Sequence, residues 1–125
     1  MEFRLETGED LNLIAHYREG AVRIGDREYH ECILVQPGAA VSGWPVQSLD
    51  ALSAAHFDTL VTIKPEIVLL GTGGRQRFPA SAVTAALARA GIGIEVMDTA
   101  SACRTYNVLA AEGRDVCAIL FMIGP

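Results

Sequence analysis

The rhythm of apolar and polar positions changes near Pro45. Before it, side chains alternate with the two-residue period of strands. Leu13-Ile14-Ala15-His16-Tyr17 runs toward Gly20, and Val22-Arg23-Ile24 alternates inward and outward. Gly25-Asp26 then supplies a two-residue hairpin signal, since such turns need positive φ. Tyr29 to Val35 reads as a second long strand, closed by Pro37-Gly38. The pattern predicts an antiparallel meander.

After Pro45 the order becomes helix, strand, helix, strand, helix, strand. Ser48 is an N-cap residue type, and Leu49, Leu52, His56 and Leu60 trace one helical stripe. Pro65-Glu66 opens Ile67-Val68-Leu69-Leu70, a continuous apolar run of the kind buried on both faces. Pro79 suits the first turn of a helix reaching about Ala90, with Gly91 as its stop. Ile94 to Met97 is the next strand. Asp98 or Thr99 caps a helix to Glu112, Gly113 ends it, and Val116 to Met122 forms the last strand.

Strands alternating with helices predict an α/β fold: a layered sandwich with an N-terminal antiparallel meander, followed by helix–strand units forming a mixed central sheet. Strands 67–70, 94–97 and 116–121 are expected side by side at its centre. At 125 residues, positions 1–125 are expected to form a single domain. Half the residues are hydrophobic and a fifth charged, ordinary globular usage that excludes a disordered chain.

Charge narrows the partners. Fifteen acids against ten bases leave a net charge of −5, and Lys64 is the single lysine. Nucleic-acid domains draw affinity from a basic face, and none runs along this chain, so no nucleic-acid partner is expected. No apolar run approaches the roughly 20 residues of a membrane span, and Met1 to Glu6 lacks a signal-peptide pattern. Cys32, Cys103 and Cys117 are odd in number, widely spaced and without a CxxC motif, which predicts reduced thiols and no zinc site. The default is a cytoplasmic protein.

The richest chemistry follows the buried strand, at Gly71-Thr72-Gly73-Gly74-Arg75-Gln76-Arg77. Ligands of open α/β sheets collect at carboxyl strand ends. Glycines let amides approach an anion, and Arg75 and Arg77 could clamp it. Neither named phosphate motif is satisfied: the third glycine of G-x-G-x-x-G is replaced by Gln76, and no Walker lysine is present. The alternative is a tight turn with two solvated arginines.

A second candidate is the helix start from Thr99 to Arg104. Cys103 near a helix N-terminus and beside Arg104 has the setting that activates a thiol, yet no histidine can be placed next to it. The alternative makes Cys103 a small buried residue on the inner helix face with Tyr106 and Ala110. Arg104 opposes the helix dipole, so a specific acceptor is expected for it: a carboxylate, a carbonyl cluster or a bound anion. Ser42 lacks the nucleophile-elbow pattern, Glu28 and Glu31 point to opposite strand faces, and Asp10, His16 and His30 lack metal-ligand spacing. Trp44, beside Pro45, is either a core plug or an exposed interface anchor, with an apolar patch expected around it.

Two segments together resemble the domain of unknown function 498 family, which includes a mitochondrial assembly factor of respiratory complex I. One runs from Pro65-Glu66 through Leu69-Leu70-Gly71-Thr72-Gly73. The other is Ala102-Cys103-Arg104-Thr105-Tyr106-Asn107 with Leu109 and Glu112-Gly113-Arg114. The Ile14 to Gly20 strand, with Tyr17, fits as well. The resemblance spans nearly the whole chain and implies a layered α/β fold, no established enzymatic activity and a protein-interaction role. Without a transit-peptide pattern, the chain resembles a bacterial, cytoplasmic relative. The function expected is therefore a non-enzymatic assembly or interaction factor with a protein partner, possessing neither cofactor nor metal. The alternative is a binder of, or enzyme for, a small anionic ligand at Gly71, Thr72, Gly73, Gly74, Arg75, Arg77, Cys103 and Arg104.

Overall fold

A computed structural model describes residues 11–124. The expectations placed on Met1 to Glu6 and on Asp10 lie outside the described residues.

Strands β1 (Ile14–Arg18), β2 (Ala21–Ile24) and β3 (Arg27–Tyr29) form an antiparallel three-stranded sheet in the order β1-β2-β3. Ile24 pairs with Arg27 across the Gly25-Asp26 turn, and Gly25 has φ of +61°, the conformation its lack of a Cβ makes accessible. A second sheet has five strands in the order β5-β4-β8-β6-β7, with β4 (Ile33–Val35), β5 (Ser42–Gly43), β6 (Ile67–Thr72), β7 (Gly93–Met97) and β8 (Val116–Phe121). Strands β6, β7 and β8 run parallel, while β4 joins β8 antiparallel, so the central sheet is mixed as expected.

Alternating residues of the continuous apolar strands feed two core layers. Val68, Leu70, Cys117, Ile119 and Phe121 face one side, against Leu49, Phe57, Leu60 and Leu87. Leu60 belongs to α1 (Asp58–Ile63) and Leu87 to α2 (Ser81–Arg89). Leu69, Val116, Ala118 and Leu120 face the other side. There they meet Ala102, Cys103, Tyr106 and Ala110 of α3 (Thr99–Ala111), together with Ile14, Val22 and Ile24 of the smaller sheet. Strands β6 and β8 have apolar neighbours above and below, which is why neither alternates in polarity.

Four expectations are corrected. The long strand from Tyr29 to Val35 is two strands in different sheets. The chain crosses at His30–Cys32, where the Cys32 N–H donates to Gln47 Oε1 at 2.8 Å and the Cys32 carbonyl accepts the Trp44 N–H at 2.9 Å. Strand 93–97 neighbours β6 but lies at the sheet edge, not in its centre. Its sequence Gly-Ile-Glu-Val-Met alternates, and Gly93 and Glu95 are exposed. A charged residue on an edge strand blunts pairing with other chains, and the Gln76 side chain caps the Val96 carbonyl at 2.9 Å. The stripe from Leu49 to Leu60 is broken into two 3-10 turns, Leu49–Ala51 and Ala54–Phe57, leading into α1. Ser48 still caps the first, accepting the Asp50 N–H at 3.2 Å. Finally, Trp44 is buried, 6.2 Å between ring centroids from Phe57, so it fills the core and anchors no exposed patch.

Candidate functional site

A cleft of about 800 Å³ opens at the carboxyl ends of β6 and β8. Three segments wall it: 47–49 at the start of the first 3-10 turn, 72–75 with Arg77 at the end of β6, and 121–124 at the end of β8. Leu49 and Phe121 belong to the core layer opposite α3, so the cleft opens on that side of the sheet.

Two threonines shape the glycine loop. The Thr72 hydroxyl donates to the Arg75 carbonyl at 2.6 Å and accepts the Arg77 N–H at 3.1 Å, closing residues 72–77 on themselves. Thr99 is fully buried and its hydroxyl accepts the Gly73 N–H at 2.8 Å while donating to the Phe121 carbonyl at 2.6 Å. Its own N–H returns to the Gly73 carbonyl at 2.9 Å. One side chain thus locks the ends of β6 and β8 to the start of α3.

Gly71 faces α3 and not the cleft. A Cβ there would stand 2.9 Å from Thr99 Oγ1 and 3.1 Å from Ala102 Cβ, so its smallness serves helix–strand packing. Arg77 reaches out to Asp50 at 2.7 Å in an exposed ion pair. Arg75 has no such partner among the described residues. Of the residues proposed from the sequence, Thr72, Gly73, Gly74, Arg75 and Arg77 are gathered in one wall.

Cys103 and Arg104 are not brought to that wall. Cys103 is fully buried between Tyr106 and the sheet, and burial pushes its thiol up to about 12 despite the neighbouring Arg104. A thiol so held is protonated at neutral pH, the opposite of an activated nucleophile. Cys32 and Cys117 are likewise free, buried and pushed up to about 12. The carboxylate, carbonyl cluster or anion expected for Arg104 is replaced by two hydroxyls, to which its guanidinium donates: Tyr17 at 2.7 Å and Ser101 at 3.2 Å. Asp98 is occupied as N-cap, accepting the Ser101 N–H at 2.8 Å, and that bond is the main reason its carboxyl titrates below the usual range. The other half of the second candidate segment is a clamp. Asn107 accepts the Ile14 N–H and donates to the Ile14 carbonyl, both at 2.8 Å, and the Tyr106 hydroxyl donates to the Asn12 carbonyl at 2.6 Å.

Sequence reasoning missed Gln47 and the 122–124 segment as cleft walls. No local signal marks them, because the end of β8 meets residues 47–49 only through the sheet order. Among the described residues no three of His, Cys, Asp and Glu gather as a metal site. His56 accepts the Ser53 N–H at 2.9 Å in a capping role, and His30 lies 3.5 Å from Glu28 on the surface.

The described residues form a layered α/β domain with an open cleft at the ends of β6 and β8 and with all three thiols buried in the core. The chain belongs to the family described as protein of unknown function, DUF498/DUF598, which matches residues 14–121. It is 33% identical over 117 residues to the human NADH dehydrogenase [ubiquinone] 1 alpha subcomplex assembly factor 3, covering 92% of this chain and 62% of that one. It is also 33% identical over 75 residues to a 13 kDa major membrane protein of Francisella tularensis, covering 60% of this chain and 61% of that protein. The chain therefore spans about six-tenths of the length of these curated relatives. A solved structure from Xanthomonas campestris superposes with a TM-score of 0.85 at 36% identity, covering 99% of this chain and 94% of the other. No helix among the described residues is long and apolar enough to cross a membrane.

Proposed function

We propose that this protein is a non-enzymatic assembly factor that binds subunits of an NADH dehydrogenase complex in a bacterial cytoplasm, with residues 1–125 acting as one domain. The observation that carries the reading is the match to the human assembly factor across nearly all of this chain. The chemistry agrees with it. The three cysteines are protonated core residues, and His56 and His30 are engaged in a cap and a surface pair.

The test is capture and loss together. Tagged protein, recovered from its own cells after mild crosslinking, is expected to bring down subunits of the NADH dehydrogenase complex. Deletion of the gene should lower the assembled complex on native gels. Recovery of the chain alone, with a normal amount of assembled complex in the deletion strain, refutes the assembly role.

A further inference from the structure

The strand-end cleft carries cationic and hydrogen-bonding groups that an assembly role leaves unused. Among the described residues its lining holds Arg75 and Arg77 and no aspartate or glutamate, within a chain of net charge −5. Arg77 is partly neutralised by Asp50, whereas the Arg75 guanidinium has no ion-pair partner among the described residues. Of the lining residues, Gly74 and Arg75 have N–H groups that donate to no acceptor among the described residues, whereas the N–H groups of Gly73 and Arg77 are satisfied by threonine oxygens. Two consecutive open donors beside a guanidinium form a compact set for an oxyanion, because backbone N–H clusters and planar arginine forks both match phosphate oxygens.

Size and wall chemistry define the rest of the ligand. About 800 Å³ is far more than one phosphate fills and lies within the range of small-molecule sites. The opposite walls are Leu49, Phe121, Met122 and Ile123, which suit an uncharged organic portion, with Gln47 and Ser48 as polar edges. The site also lies where parallel strands end and their loops diverge, the usual ligand position of such sheets. We infer that the cleft binds a phosphate ester of a small organic molecule, with the phosphate on the Arg75 guanidinium and the Gly74 and Arg75 N–H groups. This inference goes beyond the assembly role and does not depend on it.

An NMR titration of the ¹⁵N-labelled chain with inorganic phosphate, pyrophosphate and a nucleoside monophosphate, each at constant ionic strength, tests it. Saturable shifts are expected at residues 73–77 and 122–124, with the ester binding more tightly than inorganic phosphate. Arg75→Ala should weaken binding about tenfold while keeping the native spectrum elsewhere, and Arg89→Ala on the exposed face of α2 should leave affinity unchanged. Shifts that spread equally over Arg23 and Arg89, or an Arg75→Ala protein with unaltered affinity, overturn the site. A glutamate-rich peptide that moves these amides when no phosphate compound does overturns the phosphate assignment and gives the cleft to a protein carboxylate.

Discussion

Gly71 shows how one missing methyl group sets a distance between elements. Thr99 and Ala102 of α3 already stand within 3.1 Å of where a Cβ would be. Gly71→Ala must therefore push the helix off β6 or distort Thr99, and overpacking of this kind costs about 1–3 kcal/mol. Urea unfolding should show a lower midpoint with an unchanged slope. A midpoint equal to wild type would mean that the helix yields freely. From sequence, Gly71 looked like the first residue of an anion loop, since a glycine's reason for being small is invisible without its neighbour. Cys103 was ambiguous in the same way. Its helix position and adjacent arginine were legible, but burial, which decides its protonation, comes from β8 and β1 packing over it. Arg75 and Arg77 were legible as a pair, whereas the Asp50 partner of one of them sits 27 residues away.

At the scale of elements, local signals worked and long-range membership did not. Turn glycines, caps and apolar runs marked β2, β6, α2, α3 and β8 to within a residue or two. The break between β3 and β4 was unreadable because both halves keep strand character and only their pairing partners differ. The edge position of β7 was readable in principle from its exposed Glu95, which a doubly buried strand would exclude. The link between β1 and α3 rests on Asn107, which satisfies both backbone groups of Ile14. Asn107→Ala leaves two partly buried backbone groups without partners, a loss of roughly 2 kcal/mol or more. Amide hydrogen exchange is expected to accelerate across β1 and β2 while β6 and β8 stay protected. Uniform acceleration throughout the chain would show that the small sheet does not open separately.

For the whole molecule, three buried thiols make stability depend on alkaline pH. In the folded state each holds its proton to about 12, while in the unfolded chain each ionises near the ordinary ~8.5. Above that value the unfolded state binds fewer protons, so unfolding becomes more favourable as pH rises. The contribution is complete below the unfolded pKa and is lost between about 9 and 12, by up to about 1.4 kcal/mol per pH unit for each thiol. Urea midpoints under reducing conditions should fall clearly from pH 8 to pH 10. A flat midpoint over that interval would show that the thiols ionise equally well in the folded protein.

The sheet order has a consequence for how the chain is made. Strand β8 lies between β4 and β6, yet it is the last of them in sequence, and just beyond it Ile123 bridges to Glu19 at the first hairpin. During vectorial synthesis β4 and β6 leave the ribosome before the strand that pairs with both exists. Without β8 the five-stranded sheet reduces to two separate pairs, β4–β5 and β6–β7, each with an unpaired edge. Such long-range closure is slow and leaves surface to which chaperones bind. Closure of the five-stranded sheet therefore waits on its last-made strand, and until β8 is in place the facing edges of β4 and β6 have nothing to pair with.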